Sequence, residues 1–165
     1  MTPAGLNRLK LDEGLSLTAY PDPLSPLGRE LVKKLKDRTP GWEILSGAPW
    51  TIGYGQTGKG IAKDTVWTQA QADGAILASV NLLAKQLSSW VQVFDKLSPV
   101  RRDVLINIAY NIGLAGLMKW QITLAAIGRY DYVAAADDIR NNKVWKSQVG
   151  KRTTRCADAF ELDTW

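Results

Sequence analysis

The spacing of apolar residues at the start of the chain predicts one short helix. Over residues 3–13, Leu6, Leu9 and Glu13 recur at intervals of three and four and therefore share one helical face. Gly14 follows directly, and glycine is favoured just past the end of a helix. We expect the helix to end at Glu13, with this carboxylate on an otherwise apolar face.

The pattern then changes to an alternation of apolar and polar residues. Residues 15–20 alternate in this way, as is typical of a half-buried strand, and segments 50–52 and 60–61 are its expected hairpin partners. Residues 23–49 lie between these strands and are rich in proline and glycine at both ends, so we interpret them as an insertion. Its basic part, residues 29–36, is expected to form two helical turns.

From residue 68 onwards the periodicity is helical. The sequence Thr68-Gln69-Ala70-Gln71 matches a capping box and begins a helix that is expected to continue to Trp90. Ser98-Pro99 is a second helix start, with serine as the cap, and leads into an apolar run that ends near Gly113. Shorter helices are expected at residues 117–127, 132–140 and 152–158.

Together these elements predict a mainly helical α+β fold. A chain of 165 residues, 45% of them hydrophobic, is long enough for one core, and we expect a single domain. Its N-terminal lobe would span residues 14–67, with the insertion at 23–49. A connecting helix at 68–90 would lead to a helical C-terminal lobe at 91–165, to which the N-terminal helix would also belong.

Composition narrows the possible chemistry and partners. With no histidine and one cysteine, Cys156, the chain can form neither an internal disulfide nor the usual metal sites, so we expect no metal and no cofactor. The net charge of +5 favours an anionic partner: nucleic acid, acidic lipid or the bacterial cell wall. The only dense basic run is Lys33 to Arg38, and no recognised nucleic-acid motif accompanies it, so nucleic acid is not expected.

Two segments bear on membrane targeting. The N-terminus has no apolar stretch before its charges and is not interpreted as a signal peptide. The most apolar run, residues 104–118, is too short to span a bilayer. We therefore expect synthesis in the cytoplasm and no stable membrane anchor.

Glu13 and Asp22 are the candidate catalytic groups. Burial and the negative end of a helix should both raise the pKa of Glu13, which suits a general acid, although a structural ion pair is the alternative. Asp22, in Tyr20-Pro21-Asp22-Pro23, lies beside prolines, where aspartate usually serves a turn. Two carboxylates that flank a bond are nevertheless what glycoside hydrolysis requires. The pair is suggestive and not specific.

Residues 53–58, Gly-Tyr-Gly-Gln-Thr-Gly, fit the pattern of a dinucleotide-binding loop. That pattern is informative only between a strand and a helix of a βαβ unit, and here the next helix starts ten residues too late. A tight hairpin is the preferred interpretation.

Three motifs in combination are more specific. Leu11-Asp12-Glu13-Gly14-Leu15, Tyr20-Pro21-Asp22 and Trp50-Thr51-Ile52-Gly53-Tyr54-Gly55 resemble the N-terminal signature of phage-type lysozymes, glycoside hydrolase family 24, best known from T-even phages. The resemblance implies a lysozyme-like two-lobed fold with the active cleft between the lobes. It also implies that Glu13 is the acid, and that Asp22 and Thr51 hold a water for inversion.

The C-terminal half adds three candidates for binding or orienting the substrate. Residues 101–113 resemble the family's central core helix, in which Asn111 would present an amide to substrate. Residues 150–155 resemble its late arginine element, in which Arg152 would pair with Glu13. Trp145 is a candidate for stacking on a sugar, although most of the seven tryptophans are expected to be core residues.

The chain departs from the family's pattern at two places. Residues 23–49 replace a connection of only a few residues in short members. Gln56 stands where many members have a histidine that is not one of the three catalytic residues, and its role is expected to be structural.

The resemblance implies a monomeric peptidoglycan hydrolase that cleaves the β-1,4 bond between N-acetylmuramic acid and N-acetylglucosamine. It would lyse bacteria from the periplasmic side after release through a separately made membrane pore. Three alternatives stay open: a lytic transglycosylase, a non-catalytic wall-binding module, and a membrane-disrupting basic protein that acts through residues 29–36.

Overall fold

The computed structural model describes residues 1–165, and most of them are helical. The helices, in chain order, are α1 (Pro3–Glu13), α2 (Pro26–Leu31), α3 (Gln69–Trp90), α4 (Pro99–Ile112), α5 (Leu114–Leu117), α6 (Gln121–Gly128), α7 (Tyr132–Asn141), α8 (Lys143–Val149) and α9 (Lys151–Leu162). The mainly helical α+β fold expected of a phage-type lysozyme is confirmed.

The sheet has three antiparallel strands in the order β1-β2-β3. They are β1 (Ser16–Pro21), β2 (Trp50–Gly53) and β3 (Gln56–Thr57). The prediction of a strand at residues 60–61 was wrong, because that segment forms a turn in which Ile61 N donates to Gly58 O at 3.2 Å. The reason is the hairpin: Gly53 and Gly55 both have positive φ, so the chain reverses at once after β2.

The second edge of β1 is also paired. Ala19 N donates to Thr65 O at 2.8 Å, and Trp67 N donates to Leu17 O at 2.8 Å. These bonds satisfy backbone groups that would otherwise be exposed at a sheet edge. The first strand is therefore held on both sides.

Residues 23–49 contain α2 and two short 3-10 segments at Leu35–Asp37 and Trp42–Ile44. The prediction of two helical turns at 29–36 was wrong, since the helix starts at Pro26 and ends at Leu31. Ser25 caps it, with its side-chain oxygen accepting from Gly28 N at 3.0 Å. Ser-Pro is a helix start that the apolar periodicity alone does not show.

The two long helices begin at the predicted signals. In the capping box, Thr68 N donates to Gln71 Oε1 at 2.8 Å and Gln71 N donates to Thr68 Oγ1 at 3.2 Å. Ser98 Oγ caps α4 by accepting from Arg101 N at 3.2 Å. Gly113, at φ +75°, follows the last residue of α4.

The C-terminal region has more helices than predicted. The segment 117–127 is not one helix, because the chain turns between α5 and α6. Helix α8 was missed entirely: Asn142 caps it by accepting from Trp145 N at 3.0 Å. Gly150, at φ +55°, then separates α8 from α9, which continues past the predicted end at residue 158 to Leu162.

Contacts divide the chain into two compact units. The larger unit contains residues 1–12 and 78–165, and the smaller unit contains residues 13–77. Apolar residues of α4, including Val104, Leu105 and Ile108, are fully buried and belong to the larger unit's core. No helix is long and apolar enough to cross a membrane. That the chain is one domain stays a prediction.

Asp103 of α4 holds the start of α1 in the larger unit. Its side chain is buried and accepts from Thr2 N through both oxygens, each at 3.1 Å, and also from the Thr2 hydroxyl. Gly5 lies directly against this carboxylate, and a methyl group on its Cα would overlap Asp103. The close approach of α1 to α4 therefore requires a glycine here.

Gly5→Ala should destabilise the protein by about 1–3 kcal/mol, because the added carbon must displace a buried, hydrogen-bonded carboxylate. Gly74→Ala in α3 is the matched control, since nothing lies within 4 Å of its added carbon. That substitution should stabilise by about 0.5–1 kcal/mol through helix propensity. Thermal unfolding of both variants measures the difference, and equal effects would contradict the close contact.

Candidate active site

Three polar side chains of the smaller unit share one face of the sheet. Tyr20 on β1 lies directly opposite Thr51 on β2, and side chains of opposite residues point to the same face. Asp22 N donates to Pro49 O at 3.0 Å, so the ladder continues one residue past β1. Residues two apart along a strand share a face, which places Asp22 beside Tyr20.

Glu13 approaches the same group of residues. It is the last residue of α1 and is partly buried. Burial raises the pKa of the Tyr20 phenol, and the negative charges of Glu13 and Asp22 raise that pKa further. Both candidate carboxylates therefore lie close enough to one phenol to act on its charge.

Asp22 also has the turn role that its neighbouring prolines indicated. Its Oδ1 accepts from Leu24 N at 2.7 Å, and its carbonyl oxygen accepts from Ser25 N at 2.9 Å. These bonds immobilise the carboxylate but use only one of its two oxygens. The turn therefore orients Asp22 and leaves Oδ2 available for other partners.

Thr51 is buried to all but 7% of its surface. Its backbone is held between β1 and β3, opposite Tyr20 on one side and Thr57 on the other. Its hydroxyl forms no hydrogen bond within the protein. A donor and acceptor group is thus fixed in the strand beside Asp22 with its bonding capacity unused.

In the larger unit, Arg152 belongs to a buried polar cluster. Its Nε donates to Asn107 Oδ1 at 2.9 Å, and its Nη2 donates to Asn107 O at 3.0 Å. The same Nε lies 3.7 Å from Asp12 Oδ2. The predicted pairing of Arg152 with Glu13 stays a prediction.

Asp12 is the acidic centre of this cluster, with a side chain that is 3% exposed. Its Oδ1 accepts from Arg8 Nη2 at 2.7 Å and from Arg155 Nη2 at 2.6 Å. Burial raises its pKa, but the Arg8 hydrogen bond and the charges of Arg152 and Arg8 outweigh burial and hold the pKa of Asp12 below its usual value. Asp12 is therefore charged at neutral pH.

Trp145 is only 1% exposed, so its ring lies in the core in this structure, and the stacking role on a sugar stays a prediction. Its ring packs edge-on against Trp120, with ring centroids 5.4 Å apart. Its Nε1 donates to Asn111 Oδ1 at 2.8 Å. Asn111 is exposed, and because an indole N–H can only donate, the amide oxygen must face Trp145 and the Nδ2 group is left for other partners. Trp145 thus orients Asn111.

The glycine-rich segment 53–58 forms the β2–β3 hairpin and not a strand-to-helix turn. Gln56 Oε1 accepts from Tyr54 N at 2.7 Å and braces the turn. The context that a dinucleotide loop requires is therefore missing. No group of three or more His, Cys, Asp or Glu side chains is placed to hold a metal ion.

Comparison with known proteins agrees with the resemblance found in the motifs. The family described as Phage lysozyme matches residues 33–156, which is more than half of the chain. The chain belongs to the phage lysozyme family.

Several relatives illustrate the range of proteins to which this chain is similar. It is 25% identical over 163 residues to the probable T4-type lysozyme 2 of Dictyostelium discoideum, covering 94% of this chain and 92% of that protein. It is 27% identical over 107 residues to the SAR-endolysin of Bacteriophage PS119, covering 62% of each chain. It is 33% identical over 111 residues to the endolysin of Lactococcus phage c2, covering 66% of this chain and 38% of that protein. The match thus spans less than two thirds of the length of either endolysin.

The range matched by the phage lysozyme family includes only some of the candidate residues. Thr51, Asn111 and Arg152 lie inside residues 33–156, whereas Glu13 and Asp22 precede them. The placement of the two carboxylates near Tyr20 is therefore an observation independent of that match.

Sequence reasoning missed three members of the site region. Tyr20 was quoted as part of a motif and given no role, although the charges of both Glu13 and Asp22 raise its pKa. Asp12 was passed over in favour of its neighbour Glu13. Asn107 carried a usable signal, because an amide inside an apolar helical run must find a buried partner.

Replacement of Asp12 by asparagine should destabilise the protein by about 3 kcal/mol at neutral pH, because it leaves the buried guanidinium of Arg152 and the partly exposed ones of Arg8 and Arg155 without their counter-charge. The folded-state pKa of Asp12 is lowered, so its contribution is complete above the unfolded value of about 3.9 and is lost as pH falls through the folded value. The difference between wild type and Asp12→Asn should therefore shrink below about pH 4.

Denaturant unfolding across this pH range provides the measurement. Asp64→Asn is the control, because Asp64 is exposed and its positive φ suits asparagine equally well. A loss for Asp12→Asn that did not change with pH would contradict the assignment of a charged Asp12.

Proposed function

We propose that the protein is a peptidoglycan hydrolase of the lysozyme type. It would cleave the β-1,4 bond between N-acetylmuramic acid and N-acetylglucosamine and thereby lyse bacteria. One observation carries the proposal beyond family membership: Tyr20 lies directly opposite Thr51 on the sheet, and Glu13 and Asp22 both lie close enough to Tyr20 to raise its pKa. An acid, a second carboxylate and a free hydroxyl are thus gathered in the smaller unit.

Glu13 is proposed as the general acid that protonates the leaving oxygen. Proton donation to the leaving group is the step that makes a glycosidic bond labile, because the alkoxide is a poor leaving group. Helix α1 and the turn at Gly14, with φ +72°, fix the position of Glu13 from both sides. The side chain of Glu13 is only partly buried, and its exposed part can reach substrate.

Asp22 and Thr51 are proposed to hold and activate a water molecule. Asp22 Oδ1 is engaged by Leu24 N, which leaves Oδ2 to accept a proton from water. The Thr51 hydroxyl, with no partner in the protein, can accept or donate a second hydrogen bond to the same water. Attack by that water on the face of the sugar opposite the acid gives inversion of configuration.

Asn111 and Arg152 are proposed as orienting groups. The Asn111 amide is fixed by Trp145, and its Nδ2 can donate to an N-acetyl or hydroxyl oxygen of the glycan. Arg152 is proposed to orient Glu13 while Asn107 and Asp12 hold its guanidinium in place. No cofactor is needed for this chemistry.

The overall charge supports the choice of substrate. Stem peptides of peptidoglycan carry carboxylates, and a net charge of +5 attracts such a polymer over long range. The enzyme is proposed to act as a monomer on the periplasmic face of the wall, after release from the host cytoplasm through a separate pore.

Thr51→Val tests the water-holding role, because valine keeps the shape of threonine and removes its hydroxyl. Activity on peptidoglycan should fall by about 10²-fold or more, through loss of the positioned water, while stability changes by less than about 1 kcal/mol. Thr18→Val, an exposed threonine on β1, is the matched control and should retain activity. Turnover of Thr51→Val at the wild-type rate would contradict the inverting mechanism.

Glu13→Gln tests the general acid. The amide has the size of the acid and lacks the transferable proton, so kcat should fall by about 10²–10⁴-fold or more in a folded protein. Glu43→Gln is the control, since Glu43 is an exposed glutamate of the same unit and should leave activity unchanged. Thermal unfolding of Glu13→Gln should show unchanged or raised stability, whereas a purely structural ion pair would make the variant less stable.

Mass spectrometry of the released glycans separates the remaining alternatives. Reducing-end muramic acid, with water incorporated, is the expected product. A 1,6-anhydro sugar would instead identify a lytic transglycosylase, which needs the acid but no held water. Near wild-type cleavage by Glu13→Gln would overturn the proposed site.

A further inference from the structure

Four aliphatic side chains of the segment between β1 and β2 project almost fully into solvent. Leu24 is 75% exposed, Val32 80%, Leu35 71% and Ile44 89%. Isolated exposed aliphatic residues are ordinary, but four within about twenty residues, each mostly exposed, are not typical of a solvated loop. We call these four residues, which are close in sequence within one segment, the aliphatic patch.

The segment that carries the patch is an ordered structure. Glu30 is buried and holds the chain together by accepting from Lys33 Nζ at 2.6 Å and from Thr39 N at 2.9 Å. Arg38 stacks over the ring of Trp42, with 4.3 Å to its centroid. Segment 42–44, which ends at Ile44 of the patch, packs against α2. The exposure of the patch is therefore set by a folded scaffold.

Positive charge is concentrated in the sequence around Val32 and Leu35 of the patch. Between Arg29 and Arg38 the chain has five basic and two acidic residues. One of the acids, Glu30, is buried and already paired with Lys33. Lys34 and Lys36, which flank Leu35, are exposed and form no ion pair.

We propose that this segment docks, through the patch and its neighbouring lysines, on the surface of an anionic phospholipid bilayer. Aliphatic side chains gain free energy when they enter the acyl boundary of a membrane, and lysines beside them contact lipid phosphates. The aliphatic side chains and the lysines would therefore contribute to binding at the same surface. The proposal is independent of glycan cleavage, because none of its residues belongs to the candidate active site.

Two other occupants fit the patch less well. A glycan strand is bound through hydrogen bonds and aromatic stacking, and the patch offers neither. A second copy of the chain would bring Lys34 and Lys36 close to the same lysines of its partner, which opposes association in the absence of acidic partners. An anionic bilayer satisfies both the apolar and the charged part of the surface.

Co-sedimentation with vesicles tests the proposal. The full chain should bind vesicles made of equal parts of phosphatidylglycerol and phosphatidylcholine and should not bind phosphatidylcholine alone. The double variant Val32→Ser/Leu35→Ser should weaken partitioning by about tenfold or more, through loss of two inserted side chains. Lys34→Gln/Lys36→Gln should weaken it by about fivefold for each lysine, and the loss should diminish at high salt.

Matched controls keep the test specific. Ile122→Ser/Leu162→Ser removes two aliphatic side chains of similar exposure from the larger unit, and Lys59→Gln/Lys63→Gln removes two exposed lysines elsewhere in the smaller unit. Both should bind vesicles like the wild type. So should Glu13→Gln, so that failure of membrane docking and failure of the catalytic proposal are distinguishable.

Four results would overturn the docking proposal. The first is equal binding of the wild type to both kinds of vesicle, and the second is an equal loss of binding in the control variants. The third is that the Val32→Ser/Leu35→Ser variant loses binding to purified wall sacculi but not to vesicles. The fourth is a concentration-dependent dimer of the wild type that Val32→Ser/Leu35→Ser abolishes.

Discussion

The buried charge of Asp12 is the constraint on which the larger unit depends. A carboxylate that is 3% exposed is tolerated only with full compensation, and here Arg8, Arg152 and Arg155 supply it. These arginines come from α1 and α9, and the Asn107 bonds to Arg152 add α4. Because Asp12 directly precedes Glu13 in the chain, the last turn of α1 is fixed at the residue before the proposed acid.

The features of the fold that could be predicted are those set by contacts between residues close in sequence. Helix starts marked by local chemistry, such as the capping box at Thr68 and the cap at Ser98, were found because both partners lie within one turn. Helix α8 and strand β3 were missed or misplaced, since neither carries an apolar periodicity of useful length. The Asp12–Arg155 bond joins residues 143 positions apart, and no local pattern reports such a pairing.

In the candidate site, too, some residues were found from sequence motifs and others only from the folded structure. Glu13, Asp22 and Thr51 came from short motifs, and the strand register then gave Tyr20 as their common neighbour. The burial of Trp145 could not be predicted, because an aromatic residue has the same sequence signature whether it faces a ligand or the core. What distinguishes the two is the hydrogen bond of its Nε1 to Asn111, a contact between helices that only the folded chain creates.

Asp22 shows how turn chemistry and catalytic geometry can be the same feature. Its Oδ1 is held by Leu24 N, while its backbone carbonyl accepts from Ser25, whose hydroxyl caps α2. Gly28, in the first turn of that helix, lies so close to the Asp22 carbonyl that a Cβ at position 28 would overlap it. The start of residues 23–49, as far as Gly28, is therefore fixed in position relative to Asp22. Beyond that point the chain is held chiefly by its own contacts around Glu30, so substitutions in its outer part are expected to leave Asp22 in place.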